Sequence, residues 1–282
     1  MVLRLYFIIL CFSVTSCSEE IQTLKIKGSD TEVNLVTELA ESFHKSNKTS
    51  YLSISGGGSG LGIASLLNGQ ADIANSSREL NVEESELFRK RGIELDTFVF
   101  AEDAIAFIVS PLLLLDSIST VDLAGILDGS TNNWKKLTGT EIKINIYGRQ
   151  SNSGTYDFVK DKLNIQFSTH AKEMNGNAQI IEAIKSDPSG IGYVGAGYVM
   201  NSRNGQIQNI KVLHIRPDKS NKAYSPLDSN AVFNHEYYFR RHLFQFIRKS
   251  SASAAAPFIA FEKSPAGARI IRKSGYYPVK IF

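Results

Sequence analysis

The sequence predicts an α/β protein with mostly parallel sheets and helices on both faces, and three observations support this fold class. Short runs rich in β-branched residues alternate with amphipathic helical runs along most of the chain. The 282 residues, 43% hydrophobic and 21% charged, are typical of a folded protein large enough for two domains. Several loops between a strand and the following helix are rich in glycine and hydroxyl residues.

The first half of the chain contains three strand–helix pairs. Strands are predicted over "TLKIKG", "YLSIS" and "ADIANSS", followed by helices over "EVNLVTELAESFHKS", "LGIASLLNG" and "NVEESELFRKRG". In the first helix Val36, Leu39, Ala40 and Phe43 recur at helical spacing, which predicts one buried face. Two β-rich runs then follow, joined through residues 101–103, where the chain could cross into a second domain.

The second half continues the alternation. Helices are predicted over "STVDLAGILDG", "TYDFVKDKL", "NAQIIEAIKS" and "SPAGARIIRKSG", and strands over "KINIYGR" and "GIGYVGAGYV". The segment "RPDKSNKAYSPLDSN" has the composition of a loop. A last helical block is expected from Glu236 to Lys249.

The N-terminal residues have the pattern of an export signal. A basic start at residues 1–4 precedes an apolar run at 5–12 that is too short to span a bilayer. Small residues then precede Cys17, as in the lipobox of bacterial lipoproteins, so we expect removal of residues 1–16 and acylation of Cys17, with palmitate among its acyl groups. The alternative is a plain secretory signal that happens to contain Cys17. Cys11 would leave with the signal, so the mature chain would form no internal disulfide.

Several function classes are disfavoured by charge and motif spacing. A net charge of +3, with Lys and Arg spread along the chain, gives no reason to expect nucleic acid as a partner. The run "SGGGSGLG" does not match G-x-G-x-x-G, and Ser59 lacks the last glycine of G-x-S-x-G. The five histidines lack metal-ligand spacing. We therefore expect no nucleotide, no metal, no cofactor and no enzymatic activity.

Three loops share one organisation, in which a β-like run leads through glycine and hydroxyl residues into a helix. They are Lys27–Thr31, Ser55–Gly60 and Gly148–Thr155, and the third also contains Arg149. The first turn of a helix leaves backbone N–H groups unpaired and carries the positive end of the helix dipole, so such ends bind anions. A single loop of this kind could be an ordinary helix cap. Three together predict an anion site.

Four stretches follow one another in a distinctive order: "KGSDT", "SGGGSGLGIASLLNGQADIANSSREL", "GRQSNSGT" and "SDPSGIGYVGAGYV". In this order and spacing they resemble the phosphate-binding receptors of ABC phosphate importers, the PstS-type substrate-binding proteins. The resemblance covers almost all of the mature chain. It implies a two-lobe periplasmic-binding-protein fold of type II, with phosphate in the interlobe cleft held by backbone amides, hydroxyls and one arginine.

The resemblance implies a ligand set drawn from the matching positions. From the three loops and the turn after "ADIA" it comprises Ser29, Asp30, Thr31, Ser59, Gly60, Ser77, Arg78, Arg149, Ser153, Gly154 and Thr155. The resemblance further implies a monomer that captures phosphate by hinge closure and is recognised by membrane permease subunits.

The turn after "ADIA" departs from the pattern of some family members, which place an aspartate there. Here it reads Asn75, Ser76, Ser77 and Arg78. We expect Asp30 to take over as acceptor of the proton that bound phosphate still carries, because a carboxylate repels fully ionised sulfate. Arg78 would then add a second positive charge near the anion or fix Asp30. The alternative is that Arg78 is an ordinary exposed residue at the start of the next helix.

The lobe boundaries are predicted at two chain crossings. Lobe I is expected to comprise residues 17–105 and 225–282, and lobe II residues 106–224. The segment "FNHEYYF" is the nearest counterpart of the family's return crossing, which commonly holds Tyr-Pro and an arginine. Glu102 and Asp103 could face the cleft, although a solvated turn is the favoured interpretation.

Two other functions compete with phosphate capture by an exported lipoprotein. The nearer is a receptor of the same fold for another oxyanion, such as sulfate, molybdate or tungstate. Asp30 argues against it, because these ligands have no proton to donate at neutral pH. The more distant one is a hydrolase or an adhesin on this scaffold, for which the sequence offers no nucleophile and base pair.

Overall fold

The computed structural model describes residues 22–201, 205–206, 208–218 and 220–279. The predicted signal at residues 1–16 and the predicted lipidation site Cys17 lie outside the described residues. Within the described part of the chain, no helix is both long and apolar enough to span a membrane.

The strands, in chain order, have the following bounds: β1 Gln22–Gly28, β2 Ser50–Ser55, β3 Ile73–Ser76, β4 Leu95–Val109, β5 Ser117–Ser119, β6 Asn145–Arg149, β7 Lys172–Met174, β8 Gly190–Gly195, β9 Met200–Asn201, β10 Gly205–Gln206, β11 Lys211–Val212, β12 His214–Arg216, β13 Arg240–Arg248 and β14 Tyr277–Pro278. The α-helices are α1 Val33–Ser46, α2 Ser59–Leu67, α3 Val82–Lys90, α4 Thr120–Leu127, α5 Lys135–Thr138, α6 Gly154–Leu163, α7 Asn177–Ser186, α8 Ser229–Phe233, α9 Ala252–Glu262 and α10 Pro265–Lys273. Short 3₁₀ turns lie at Asp30–Glu32, Ala196–Tyr198 and Lys249–Ser251.

The main sheet is a mixed one, in the order β2-β1-β3-β13-β4-β8-β6-β7. Its two wings are parallel, since β1 pairs with β2 and β3, and β6 pairs with β7 and β8, in that sense. The central strands β13 and β4 are antiparallel to their neighbours. The α/β class and two-lobe fold are therefore confirmed, but "mostly parallel" describes only the wings. The antiparallel strands are the ones that carry the chain between lobes.

Strand β4 carries the chain from one lobe to the other. Its residues Leu95–Ala104 pair with β13 and β14, whereas Ile105–Val109 pair with β8 and β11. The region that contains β1–β3, β13, α1–α3, α9 and α10 is called lobe I below, and the region that contains β5–β8, β12 and α4–α7 is called lobe II. Each has its own buried apolar core.

The return crossing lies later in the chain than the predicted boundary at residue 225. Val232, Tyr237 and Phe239 are buried in the core of lobe II, and the backbone of Ile105 donates a hydrogen bond to the carbonyl of Phe239. The chain therefore rejoins lobe I at the start of β13. The apolar side chains that follow "NHE" fix this position, because they complete the lobe II core before the strand begins.

The helix predicted from Glu236 to Lys249 is wrong. Arg240–Arg248 is strand β13, which pairs with β3 on one side and β4 on the other. Its central residues are buried on both faces, so the run reads as apolar rather than alternating. Helix α9, with Pro257 inside it, was not predicted, because proline and a run of alanines give no amphipathic pattern.

Candidate functional site

The three predicted loops meet where the two lobes face each other. Thr31 Oγ1 lies 3.2 Å from Thr155 Oγ1, and Ser59 Oγ lies 3.3 Å from Ser77 Oγ. The backbone amide of Gly60 donates to the carbonyl of Asn152 across the cleft at 3.0 Å. The N-termini of α1, α2 and α6 therefore converge, as expected for ligand sites at the carboxyl ends of strands in α/β sheets.

The lobe I side of the site depends on a close backbone turn after β1. Gly28 has φ of 142°, and a Cβ at this position would overlap the carbonyl oxygen of Asn75. This approach lets the Ser29 amide donate to the same carbonyl at 2.9 Å. The Tyr276 hydroxyl donates to the Thr31 carbonyl at 2.6 Å. Ser29 and Thr31 are thereby held with their side chains buried.

The lobe II side is the end of β6 and the first turn of α6. The Ser153 hydroxyl caps α6 by accepting from the Thr155 amide at 3.2 Å. A Cβ added to Gly154 would lie 2.5 Å from Ser59 Oγ and 2.6 Å from Ser77 Oγ. Only glycine therefore lets the start of α6 approach the lobe I serines this closely.

Arg149 brings a buried positive charge to this point. Its side chain is 1% exposed, and its Nη1 lies 3.4 Å from Asp30 Oδ2. Nε and Nη1 have no hydrogen-bond partner among the described residues. Burial lowers the pKa of the guanidinium and the carboxylate of Asp30 opposes that shift. Buried guanidinium donors without a hydrogen-bond partner are costly unless an acceptor completes them, so this arrangement favours an anion.

Asp30 is held by lobe II although it belongs to lobe I. Its Oδ2 accepts hydrogen bonds from the backbone amide and the side-chain amide of Asn177, at 2.9 and 2.7 Å. Asn177 is the first residue of α7, so the carboxylate lies at the positive end of that helix. Tyr198 donates to the Asp30 carbonyl at 2.6 Å. Asp30 is thus fixed by Asn177 and Arg149, and not by Arg78.

Ser77 lies beside Ser59 in the site cluster, whereas the guanidinium of Arg78 points away from it. The amide of Ser77 donates to Ser59 Oγ at 3.1 Å, which joins the turn after β3 to the start of α2. Arg78 makes a two-pronged contact with Glu84 at 2.7 and 2.8 Å, and its Nε lies 2.8 Å from Asp157 Oδ2 of lobe II. Arg78 therefore lies at the rim of the cluster, paired with two carboxylates.

Arg241 was missed from the sequence, and Asp103 was considered only as the less favoured alternative. Arg241 donates to Thr31 Oγ1 at 3.2 Å and to Thr155 Oγ1 at 3.1 Å, so it joins the hydroxyls of both lobes. Its Nε and Nη2 also donate to Asp103 Oδ2, at 3.0 and 2.8 Å. Asp103 is fully buried, which overturns the solvated turn expected for it. An acid inside the apolar run "FAEDAIAFIV" was the signal that could have found this pair.

The Arg241–Asp103 ion pair has no net charge. Burial raises the pKa of Asp103, while the Arg241 guanidinium opposes that shift. Nη1 of Arg241 has no hydrogen-bond partner among the described residues.

The described chain contains no cluster of three or more histidine, cysteine, aspartate or glutamate side chains suited to a metal ion.

Comparison with known proteins places the chain in a family. A family model described as a PBP superfamily domain matches residues 13–265. The phosphate-binding protein PstS of Borreliella burgdorferi is 32% identical over 267 residues, which cover 91% of this chain and 90% of that protein. The chain belongs to the PstS family. Its relatives are named as binding proteins, in agreement with the expectation of a receptor and not an enzyme.

Solved structures with the PstS fold match nearly the whole chain. A phosphate ABC transporter substrate-binding protein from Clostridium perfringens, solved with bound phosphate, aligns with TM-score 0.81 and 23% identity over 92% of this chain and all of that chain. The molybdate-binding protein of Azotobacter vinelandii aligns with TM-score 0.59 and 19% identity over 91% of this chain and all of that one. At these identities the likeness shows the fold alone. The choice of oxyanion must be argued from the side chains.

Proposed function

We propose that this PstS family member captures inorganic phosphate outside the cytoplasm and delivers it to an ABC importer. The supporting observation is the buried guanidinium of Arg149, in which two donors have no hydrogen-bond partner among the described residues, beside the helix N-termini of α1, α2 and α6. Five hydroxyls surround this region, each on a buried residue: Ser29, Thr31, Ser59, Ser153 and Thr155. This excess of donors fits a small tetrahedral anion with many acceptor oxygens.

Asp30 supports phosphate over sulfate. Its carboxylate lies beside Arg149, with Oδ2 already occupied by Asn177. Oδ1 then serves as acceptor for the proton that phosphate retains at neutral pH. Sulfate, molybdate and tungstate bring no such proton, so they would meet like charge without a hydrogen bond.

Calorimetric titration of the purified protein with phosphate, sulfate and molybdate tests this proposal. We expect tight binding of phosphate and much weaker binding of the other two. Equal affinity for phosphate and sulfate would remove the role of Asp30 and favour a general oxyanion receptor. Phosphate release from an ester substrate, abolished by a single Ser substitution, would instead favour the hydrolase alternative.

We also propose that the protein is a lipid-anchored monomer. The sequence before residue 18 supports the anchor, because an acylated Cys17 with two or three chains would hold the protein stably at a membrane. Incorporation of labelled palmitate in the producing cell should occur in the wild type and be lost in Cys17→Ser. Labelling of both would place the acyl group elsewhere, and labelling of neither would favour the plain secretory signal.

Delivery requires that a membrane permease distinguish the loaded receptor from the empty one. Both lobes contribute to the site, so the closed arrangement differs from any open one over the whole cleft surface. We therefore expect phosphate to increase binding of the receptor to its permease. Sedimentation of the soluble mature chain, with and without phosphate, should give a monomer in both cases.

A further inference from the structure

Arg78 and Asp157 form an ion pair that joins the lobes beside the anion site. Arg78 follows β3 in lobe I, and Asp157 lies in the first turn of α6 in lobe II. Nε of Arg78 is 2.8 Å from Asp157 Oδ2, and the side chains are 16% and 31% exposed. Both residues line a groove of about 700 Å³ between the lobes, together with Ser77 and Arg241 of the site cluster.

Arg78 is held in place by lobe I alone. Its Nη1 and Nη2 donate to the two carboxylate oxygens of Glu84, and Nη1 also donates to the Glu79 carbonyl at 2.8 Å. Glu84 is itself fixed, because it forms a capping box with Asn81 at the start of α3. These contacts do not depend on lobe II. The guanidinium is therefore held in place before the lobes meet, and Asp157 Oδ2 lies 2.8 Å from its Nε when they do.

Without Arg78, the carboxylate of Asp157 would be partly buried beside the anion site with no compensating positive charge. It lies four residues after Ser153, on the same helix whose N-terminus supplies donors to the anion. Burial raises the pKa of Asp157, and the Arg78 guanidinium opposes the shift. The helix dipole stabilises an acid in this turn. An uncompensated Asp157 carboxylate would nevertheless weaken the attraction of the site for an anion, because it adds a negative charge nearby.

The contact also lies beside a close approach of the two lobes at Gly154. A Cβ on Gly154 would lie 3.3 Å from Arg78 Cγ, in addition to its overlap with the serine hydroxyls. The aliphatic stem of Arg78 thus packs beside the first residue of α6, while its guanidinium holds the residue one turn further along. Together these contacts fix both the position and the orientation of the α6 N-terminus.

We propose that Arg78 and Asp157 form an interlobe latch, in which the ion pair holds the N-terminus of α6 against lobe I and slows release of the bound anion. Arg78 and Asp157 are positioning residues here, since they act through α6 and not by contact with the ligand. The latch rests on the proposed phosphate binding, because its readout is phosphate release.

The test is the pair of substitutions Asp157→Asn and Asp161→Asn. Asp161 lies one turn further along α6, is exposed, and loses the same charge when substituted. If the latch operates, D157N should bind phosphate about fivefold more weakly, through faster dissociation, while D161N keeps wild-type affinity or gains slightly. If Asp157 acted only as a nearby negative charge, D157N would bind more tightly than wild type, and this result would overturn the latch.

A double-mutant cycle with Arg78→Gln isolates the pair. In the R78Q background, D157N should have no further weakening effect on the phosphate dissociation constant or on the dissociation rate in stopped-flow. An unchanged D157N effect in that background would show that Asp157 acts through another group. Arg78→Lys keeps the charge but cannot serve Glu84 and Asp157 together, so it should release phosphate faster than wild type.

Small-angle scattering separates failure of the latch from failure of the proposed function. If the wild type bound no phosphate by calorimetry, the proposed function would fail. Without ligand, the radius of gyration of D157N should still exceed that of D161N, because the lobes separate more readily. Equal radii for these two variants without ligand, together with equal phosphate dissociation rates, would reject the latch alone.

Discussion

Two buried polar regions of this protein have opposite deficits. Around Arg149, donors lack acceptors: Nε and Nη1 have no hydrogen-bond partner among the described residues, although Nη1 lies 3.4 Å from Asp30 Oδ2. In the interior of lobe I lies a buried acid cluster, defined as Glu32, Asn75, Gln245 and Glu262, in which acceptors lack donors. Both Glu32 carboxylate oxygens, and one oxygen of each other member, have no partner among the described residues. The first region can be completed by an anion and the second by protons.

The buried acid cluster is joined by one direct contact and by strand register. Gln245 donates to Glu262 Oε1 at 3.1 Å, and Gln245 pairs with Asn75 between β13 and β3. Burial raises the pKa of Glu32 well above its usual range and that of Glu262 to about 8, while Gln245 opposes the shift at Glu262. Each neutral carboxyl adds one donor to the cluster. A buried polar cluster is therefore not by itself evidence of a ligand site. What distinguishes the two regions is whether donors or acceptors lack hydrogen-bond partners.

The largest effect should come from Arg149→Ala, which removes the donor surplus. Loss of buried charge-assisted contacts should weaken phosphate binding by about 3 to 4 kcal/mol, several hundredfold, with little change in the fold. Calorimetry and thermal unfolding measure the two quantities. Arg89→Ala, an exposed arginine on α3, is the matched control and should bind phosphate as wild type does. R149A affinity within about tenfold of wild type would place the ligand elsewhere.

The second prediction concerns the buried acid cluster and uses the substitution Glu262→Gln. The folded state holds the Glu262 proton more tightly than the unfolded chain, whose pKa is near the ordinary 4.5. Wild-type stability should therefore fall as pH rises from about 4.5 to about 8, at up to about 1.4 kcal/mol per unit. E262Q carries no titrating proton at this position and should lose the Glu262 contribution to this slope. Its stability relative to wild type should therefore be greater at about pH 8 than at about pH 5.

Thermal unfolding across this pH range measures the slope for wild type and variant. Glu41→Gln, an exposed glutamate on α1, is the matched control and should keep the wild-type slope. A slope for E262Q equal to that of wild type would mean that Glu262 is ionised in the folded state. The acid cluster would then hold a buried charge, and its contrast with the Arg149 region would fail.

A third test concerns the approach that brings donors of both lobes together. Gly154→Ala places a methyl group against Ser59 and Ser77, so the lobes cannot close fully and phosphate affinity should fall by about tenfold or more. Gly60→Ala, across the cleft, meets its nearest atom, the Asn152 carbonyl oxygen, at 3.3 Å and should cost less. Equal effects of the two substitutions would indicate that closure around Gly154 is not required for binding.

The smallest effect should appear in Asp30→Asn, as a change of selectivity. Asparagine keeps an oxygen to accept from Asn177 but removes the charge that repels sulfate. We expect the ratio of sulfate to phosphate dissociation constants to fall by about tenfold, because sulfate gains affinity and phosphate loses some. Competition titrations at neutral pH measure this ratio. An unchanged ratio would move the discriminating group to another residue.

Local sequence patterns were sufficient for most elements and for the core of the candidate site. The loops around Ser29, Ser59 and Ser153 were predicted because glycine and hydroxyl residues at a strand–helix junction have a local cause, the unpaired amides of a helix start. The amphipathic helix α1 and the capped helix α3 were predicted for similar local reasons. Arg149 was found because it lies within one of these loops.

The tertiary structure decided the features that depend on distant partners. Arg241 and Asp103 are 138 positions apart, and no local pattern relates them. Strand β13 looked helical because its burial on both faces removes the alternation that marks a strand. Arg78 pairs with Glu84 of its own lobe and with Asp157 across the cleft, and Asp30 accepts from Asn177 across the cleft. The sequence by itself determined where donors gather, since that is local chemistry. Which charges compensate one another was decided only by packing.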